Sequence, residues 1–325
     1  MPDCISAFLL DIYRASRRMR HEQLRPFVFD ALQSVVSFDS AFWFRWAASE
    51  TSSYIHTWYL HNQPESLLLE YAQDELWRED VMYWKALAAP PGNACRVSYA
   101  DYTENRMRSF LKRHRQEHVM TIAVVQDVSQ IAGGMSLYRN ETRDAFSEVD
   151  GQALEAVISH LIDAWRENWL QHVVQGASSA SAPVDFSIAL LTPDFSMSEA
   201  QDSFGPLIQC EWPDWRGPWL PDPLRRHFDA GRPGPWFGER IAVYHSPQPN
   251  HTTILLARRG HPLDRLPPRK REVALMFAGG ASQTEVAQRM NLAPHTVNNY
   301  LGNIYQTLAL NDKTGLSRLV ERLQP

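Results

Sequence analysis

Apolar residues fall at helical spacing near the start of the chain. Ile5, Phe8, Leu9 and Ile12 share one face, followed by Arg14, Arg17, Arg18 and Arg20; Leu24, Phe27, Ala31, Leu32 and Val35 repeat the period. This predicts two opening helices, over 4–20 and 22–36, with the basic run on a solvated face. The aromatic runs 41–46 and 54–60 read as strands joined by the polar hairpin loop Ser49–Ser53. Helical patterns near 64–76 and 79–88 stop at Pro90-Pro91-Gly92, and a helix over 104–115 turns Met107, Phe110 and Leu111 inward. Strands over 119–125 and 131–138 follow, joined across Asp127–Gln130. From Ser147, an N-cap with acids in the next turn, a long helix sets Leu154, Val157, Ile158, Leu161, Ile162 and Trp165 on one side. The run 176–183, rich in Gly, Ser and Ala, reads as a linker.

A second block covers 184–260. A strand over 185–191 turns at Thr192-Pro193-Asp194, and a short helix is expected from about Met197. A span rich in Pro and Trp, 212–237, precedes strands over 240–245 and 252–257.

The last sixty residues are the most explicit. Pro268 suits a first helical turn, where its missing N–H costs nothing. Val273, Leu275, Met276 and Phe277 supply the apolar side of that helix, and Gly279-Gly280 ends it. Ser282 and Glu285 have the spacing of a capping box. Val286, Ala287 and Met290 face inward, Asn291-Leu292-Ala293 makes a turn, and Pro294 opens the next helix. There Val297, Leu301, Ile304 and Leu308 are core, leaving His295, Asn298, Asn299, Gly302, Asn303 and Gln306 outside. A fourth helix over about 314–323 offers Leu316, Leu319 and Val320.

Charge sharpens the contrast between the two ends. From Arg258 onward ten Lys or Arg oppose five Asp or Glu, giving +5; the chain is −5, so residues 1–257 carry −10. A basic end on an acidic body suits a polyanionic partner for that end. No apolar run reaches the roughly 18 residues of a membrane helix, and Met1-Pro2-Asp3-Cys4 lacks the start of a signal peptide. Cys4, Cys95 and Cys210 form neither a disulfide framework nor a metal site, so a cytoplasmic protein is expected. No phosphate-cradling glycine loop, nucleophile elbow or zinc-protease motif is present, and no catalytic residue, metal or cofactor is expected. His114 and His118 read as surface residues. Trp43, Trp58, Tyr59, Trp77 and Trp84, with Trp46 and Tyr83, crowd one predicted sheet and its covering helices. With Asp80 they are, as a set, candidate lining for a small-molecule pocket, although any one aromatic taken alone is more often plain core.

Residues 266 to about 319 resemble the LuxR-type (FixJ/NarL-type) helix-turn-helix family, which implies a recognition helix starting at Pro294. The resemblance implies double-stranded DNA as partner, met by Ser282, Gln283 and Thr284 and by His295, Thr296, Asn298, Asn299, Gly302 and Asn303. It also implies a homodimer paired through the fourth helix, and RNA polymerase as partner of an activator. Asn298 stands where the family usually has Lys or Arg, Gly302 where it often has a polar or basic residue, and Lys270 where an acid is common. Pro267 and Ala293 replace its Thr or Ser caps. The order of elements before residue 175 resembles the GAF-type sensory fold and the related autoinducer-binding domain. Asn62-Gln63-Pro64, Tyr71 and Trp77-Arg78-Glu79-Asp80-Val81 loosely resemble the autoinducer-binding region with a tyrosine, tryptophans and an Asp-Pro step. Val81 replaces that proline, so the resemblance implies a sensory fold without naming its ligand. The 184–260 block weakly resembles a PAS domain, or is a spacer.

The expected fold is multidomain: an α+β GAF-like domain over 1–175, a linker at 176–183, a smaller α+β PAS-like or spacer domain over 184–260, and an all-α four-helix DNA-binding domain over 261–325. The expected function is a DNA-binding transcriptional regulator, dimeric and controlled by a small molecule or protein partner. The alternative is a protein-interaction regulator that sequesters or co-regulates a related factor.

Overall fold

The computed structural model describes residues 2–48, 53–177, 186–229, 234–248 and 252–321. It begins with α1 (Pro2–Arg18), α2 (His21–Leu32), β1 (Ser40–Ala48), β2 (Ser53–His61), α3 (Ser66–Gln73) and α4 (Val81–Ala88). Then come β3 (Cys95–Ser98), α5 (Asn105–Arg113), β4 (His118–Val125), β5 (Ala132–Arg139) and α6 (Glu148–Ala177). The strands form an antiparallel sheet in the order β2-β1-β5-β4-β3. The expected hairpin loop and linker fall largely on 49–52 and 178–185, outside the described residues.

Ser147 and Asp150 close the start of α6 reciprocally: Asp150 N–H donates to Ser147 Oγ at 3.2 Å, and Ser147 N–H to Asp150 Oδ2 at 2.7 Å. Leu154, Val157, Leu161 and Trp165 of α6 are buried with Phe8, Ile12, Leu24 and Phe29 of the opening helices against one sheet face. The other face carries a separate apolar cluster that includes Met107, Phe110 and Leu111 of α5 and Val119 of β4. Val119 and Met120 belong to different clusters, as strand alternation requires. The short edge strand β3 has no hydrophobic run to announce it; it exists because Cys95–Ser98 pair with Thr121–His118.

Residues 1–180, 189–201 and 216–220 form one compact unit; 181–188, 202–215 and 221–325 form a second. The elements beyond α6 are β6 (Ser187–Leu191), β7 (Met197–Ala200), α7 (Phe204–Glu211), α8 (Asp222–Asp229), β8 (Trp236–Phe237), β9 (Ile241–Pro247) and β10 (Thr253–Arg259). Their strands are ordered β7-β6-β10-β9-β8, the same 2-1-5-4-3 order as the first sheet when counted from each sheet's own first strand. The helix expected from Met197 is instead strand β7. Thr192 N–H donates to Ser196 O at 2.9 Å, closing a tight turn with Phe195 at φ +62°. The returning residues then pair Ala200 with Ala189 and Glu199 with Leu190. Cross-strand pairing overrides the helix propensity of Met, Glu and Ala.

Within the first unit, Arg45 of β1 is 1% exposed and ion-paired to Glu199 of β7, itself 3% exposed. Arg45 lies opposite Gly133 in the β1–β5 register, where an added Cβ would stand 2.7 Å from the arginine Cδ. Glycine there makes room for the guanidinium.

The chain closes with α9 (Pro268–Ala278), α10 (Gln283–Met290), α11 (Pro294–Leu308) and α12 (Lys313–Glu321) around Val273, Phe277, Val286, Val297, Leu301 and Leu316. Leu275, expected on the apolar side of the first of these, is 41% exposed; Ala274 is buried in its place. At about 100° per residue, Val273, Ala274 and Phe277 share a stripe that Leu275 leaves.

Glu199→Ala leaves a buried guanidinium unpaired and is expected to destabilise the protein by about 3 kcal/mol or more. Urea unfolding checks this; an unchanged midpoint would contradict it.

Candidate functional sites

The helix-turn-helix is fixed by local chemistry. Glu285 N–H donates to Ser282 Oγ at 3.2 Å, and Ser282 N–H to Glu285 Oε2 at 2.7 Å, a complete capping box for α10. These bonds hold the Glu285 carboxyl below its ordinary range. Asn291 ends α10 at φ +53°, a left-handed conformation that asparagine tolerates. Leu292 N–H reaches back to Ala287 O at 2.8 Å. Pro294 then starts α11 behind Ala293, which offers no side-chain cap.

Val297, Leu301 and Ile304 are buried, and Leu308 packs half-buried beside them. His295, Asn298, Asn299, Gly302 and Asn303 are exposed, and Thr296 is half-buried. Ser282, Gln283 and Thr284 are exposed where α10 begins. Asn303 Nδ2 donates to Asn299 O at 3.0 Å, while a Cβ on Gly302 would meet nothing within 4 Å. No Lys or Arg lies between Pro294 and Leu308.

Contacts that sequence reading missed secure these helices inside the second unit. Arg258, near the end of β10, donates to both carboxylate oxygens of Asp264 at 2.7 and 2.8 Å and to Tyr244 Oη at 2.9 Å. Burial pushes Asp264 up, but the hydrogen bonds from Arg258 and the His261 N–H outweigh it, so its carboxyl sits below the ordinary value. Arg271 of α9 donates to the carbonyls of Leu263, Asp264 and Leu266 at 3.1–3.2 Å and stacks 4.3 Å over the Phe237 ring. His261 Nδ1 accepts from Leu263 N–H at 3.2 Å, so its other nitrogen carries the proton it shares with Leu319 O at 3.2 Å on α12. Burial keeps this imidazole pKa below its ordinary value. The available sequence signal was an Arg, Asp and Arg spread over fourteen residues, which no helical or strand period groups.

A second site lies on the first sheet's face away from α1, α2 and α6. Phe42, Phe44 and Trp46 of β1 wall a cavity of about 190 Å³, covered by residues of α4 and α5. Asp80 sits at the N-cap of α4. Its Oδ1 accepts from Met82 N–H at 2.9 Å and Tyr102 Oη–H at 3.0 Å, and its Oδ2 from Tyr71 Oη–H at 2.8 Å. Burial pushes the Asp80 carboxyl up against these bonds, and pushes both phenols far above their ordinary range. Thr121 and Ser136 hydroxyls pair at 2.7 Å on the wall. Gln116, 2% exposed, is among the residues around the cavity, and its fully buried Nε2 has no hydrogen-bond partner among the described residues.

Of the residues expected to line a pocket, Asp80 does so, as do Trp46 and Tyr83 of the wider aromatic set. Trp43 does not: one step out of phase with Phe42 and Phe44, it packs in the opposite core, 5.7 Å from Trp165. Tyr59, its cross-strand partner, stacks on Phe29 at 5.8 Å on that same side. Trp58 pairs with Phe44 in register but is 39% exposed on the edge strand and outside the cavity. Trp77 packs against Trp84 with ring centres 6.3 Å apart at a tilt of 51°, outside the cavity, and Trp84 is 51% exposed. The phase of β1 was the signal that selects Phe42, Phe44 and Trp46. Tyr71, Tyr102 and Gln116 are brought in by tertiary packing. His114, expected on the surface, is half-buried against Glu70 at 2.9 Å.

The geometry defines a helix-turn-helix protein with a separate cavity-bearing sheet. Residues 264–320 match the family of bacterial regulatory proteins, luxR family, so this segment is a LuxR-type helix-turn-helix domain. No curated protein matches the chain. Among solved structures, Escherichia coli SdiA is similar at 11% identity and TM-score 0.41, covering 97% of this chain and 96% of its own. Residues amounting to 52% of the chain are similar to the N-acylhomoserine lactone dependent LuxR family transcription factor CepR2 of Burkholderia cenocepacia, at 13% identity, TM-score 0.42 and 96% of that chain. The phycoerythrobilin-bound GAF domain of a cyanobacterial phytochrome is similar at 12% identity and TM-score 0.37, over 52% of this chain and 97% of its own. At these scores the N-terminal region rests on its own topology. No helix among the described residues is long and apolar enough to cross a membrane.

Two substitutions on α11 are expected to stabilise the helix-turn-helix by about 1 kcal/mol each: Ala293→Ser supplies the absent cap, and Gly302→Ala removes a flexible exposed residue. Thermal unfolding checks both; no rise in melting temperature would contradict them.

Proposed function

We propose that this chain is a cytoplasmic transcriptional regulator that binds promoter DNA as a homodimer, under control of a small molecule held in the sensory cavity. The carrying observation is the exposed polar face of α11, with Asn298, Asn299, Gly302 and Asn303 outward on a helix anchored by Val297, Leu301 and Ile304. A helix presented this way enters a major groove, and asparagine bonds adenine through both N6 and N7. Ser282, Gln283 and Thr284, exposed at the start of α10, in this reading meet the phosphates beside the groove, and His295 and Thr296 lead the recognition helix. In this reading residues 1–175 are the sensory domain, 184–260 join it to the DNA-binding domain 261–325, and α12 pairs two copies. Recruitment of RNA polymerase follows if the regulator activates. Binding, not catalysis, is the proposed activity.

Ligand control works by differential affinity: the molecule shifts the protein toward the arrangement in which it binds better. A second reading draws on the lack of any Lys or Arg from Pro294 to Leu308. There the helix docks on a related factor and sequesters it.

Mobility shift of full-length protein on DNA upstream of its own gene separates the two readings. Specific retardation weakened at least tenfold by Asn298→Ala with Asn299→Ala is expected, since a bidentate base contact supplies about 1–3 kcal/mol of discrimination. No retardation at low salt would overturn the DNA-binding reading in favour of sequestration.

A further inference from the structure

Gly302 is the ninth of the fifteen residues of α11 and lies on its exposed face. A helix interior is where glycine, proline aside, is least favoured, because it gives up the most backbone freedom. Other glycines near or within helices are explained inside the molecule. Gly205 is buried, and a Cβ on Gly151 or Gly315 would meet neighbours at 3.6 and 3.4 Å. Gly280, just beyond α9, has φ +100°, which an L side chain rarely adopts. At Gly302 the backbone is helical and a Cβ would meet nothing within 4 Å, so neither packing among the described residues nor conformation calls for glycine there. What remains is approach from outside: glycine serves where another molecule must come close to the backbone.

The neighbours say what approaches. Asn298 and Asn299 stand four and three residues before Gly302 and flank it on the helix surface, with Gln306 four residues beyond; all three are exposed. Asn303 Nδ2 donates to Asn299 O at 3.0 Å, which ties that side chain back along the helix and keeps the surface low beside Gly302. The depression therefore lies in the middle of the amide face, between groups suited to adenine and without the Arg or Lys that pairs with guanine O6 and N7. On an A·T pair the thymine C5-methyl stands in the major groove with adenine N6 and N7, and it is read by apolar contact rather than by hydrogen bonds. A glycine methylene with no side chain above it offers that contact at the shortest distance.

We infer that Gly302 admits a thymine methyl group to the backbone of α11, so that each half-site requires a T at one position. This rests on the DNA-binding reading above and names the base pair selected: A·T, read at adenine by asparagine and at thymine by the glycine. Gly302 is a specificity-determining residue. The free protein gives up helix stability to keep it, and the complex gains a close contact.

The test uses full-length protein and the shortest duplex it retards from the DNA upstream of its own gene. Each thymine is replaced in turn by deoxyuridine, which removes only the methyl group. At one thymine per half-site the parent is expected to bind about fourfold more weakly, the worth of one buried methyl group. Gly302→Ala is expected to bind the thymine duplex at least tenfold more weakly, since its Cβ and the thymine methyl contend for one space. It is also expected to prefer the deoxyuridine duplex, the reverse of the parent, and to melt higher than the parent when free. A parent indifferent to deoxyuridine at every thymine, a Gly302→Ala variant that binds as tightly as the parent, or one weakened equally on both duplexes would overturn the inference while leaving DNA binding in place. A variant that melts lower would give Gly302 a role within the fold and overturn it as well. Retardation of no duplex at low salt would overturn the DNA-binding reading and this inference with it.

Discussion

The first unit depends on the two-sidedness of strand β1. Each step along it reverses the face, so Trp43 enters the core beneath α1, α2 and α6 while Phe42, Phe44 and Trp46 wall the cavity. The same alternation sends Arg45 to the buried side, where a guanidinium is tolerable only because Glu199 neutralises it and Gly133 leaves it space. Buried ion pairs add little net stability, but they admit few geometries. A molecule that bears on Phe44 bears on the backbone holding Arg45, so the cavity wall and the β7 contact share one rigid element.

In the second unit an ion pair plays the comparable part. Asp264 receives both arms of Arg258 and the His261 N–H, and Arg271 gathers the carbonyls of Leu263, Asp264 and Leu266 while lying on Phe237. The approach to α9 is therefore pinned to β8, β9 and β10 rather than carried on a slack tether. What α11 then offers is a surface of amides and one open glycine. In the proposed DNA-binding reading, such a surface reads base edges through hydrogen bonds and gains little from phosphate attraction, and affinity comes from fit and from the proposed pairing of two copies.

Much of this was legible in sequence where local rules and tertiary packing agree. The capping box at Ser282 and Glu285, the start of α6 at Ser147 and the spacing of Val297, Leu301 and Ile304 are all satisfied by neighbours a few residues away. The misses occur where a distant partner decides. Met197–Ala200 has helix-forming residues but pairs as a strand, and Cys95–Ser98 has no pattern of its own until Thr121–His118 lie beside it. The candidate pocket was legible as an aromatic concentration and as Asp80. Which aromatics face the cavity required the phase of β1, and Gln116 joins its surround only through tertiary packing.

The salt dependence of DNA binding tests the central claim most directly, namely that α11 reads bases while making few phosphate contacts. Full-length protein should bind DNA upstream of its own gene more tightly than scrambled DNA of equal length. The plot of log affinity against log salt should fall with a slope no steeper than about −4, each neutralised phosphate contributing about −0.9. Equal affinity for both DNAs, with a slope near −8 or steeper, would show a sequence-blind electrostatic grip and contradict the account.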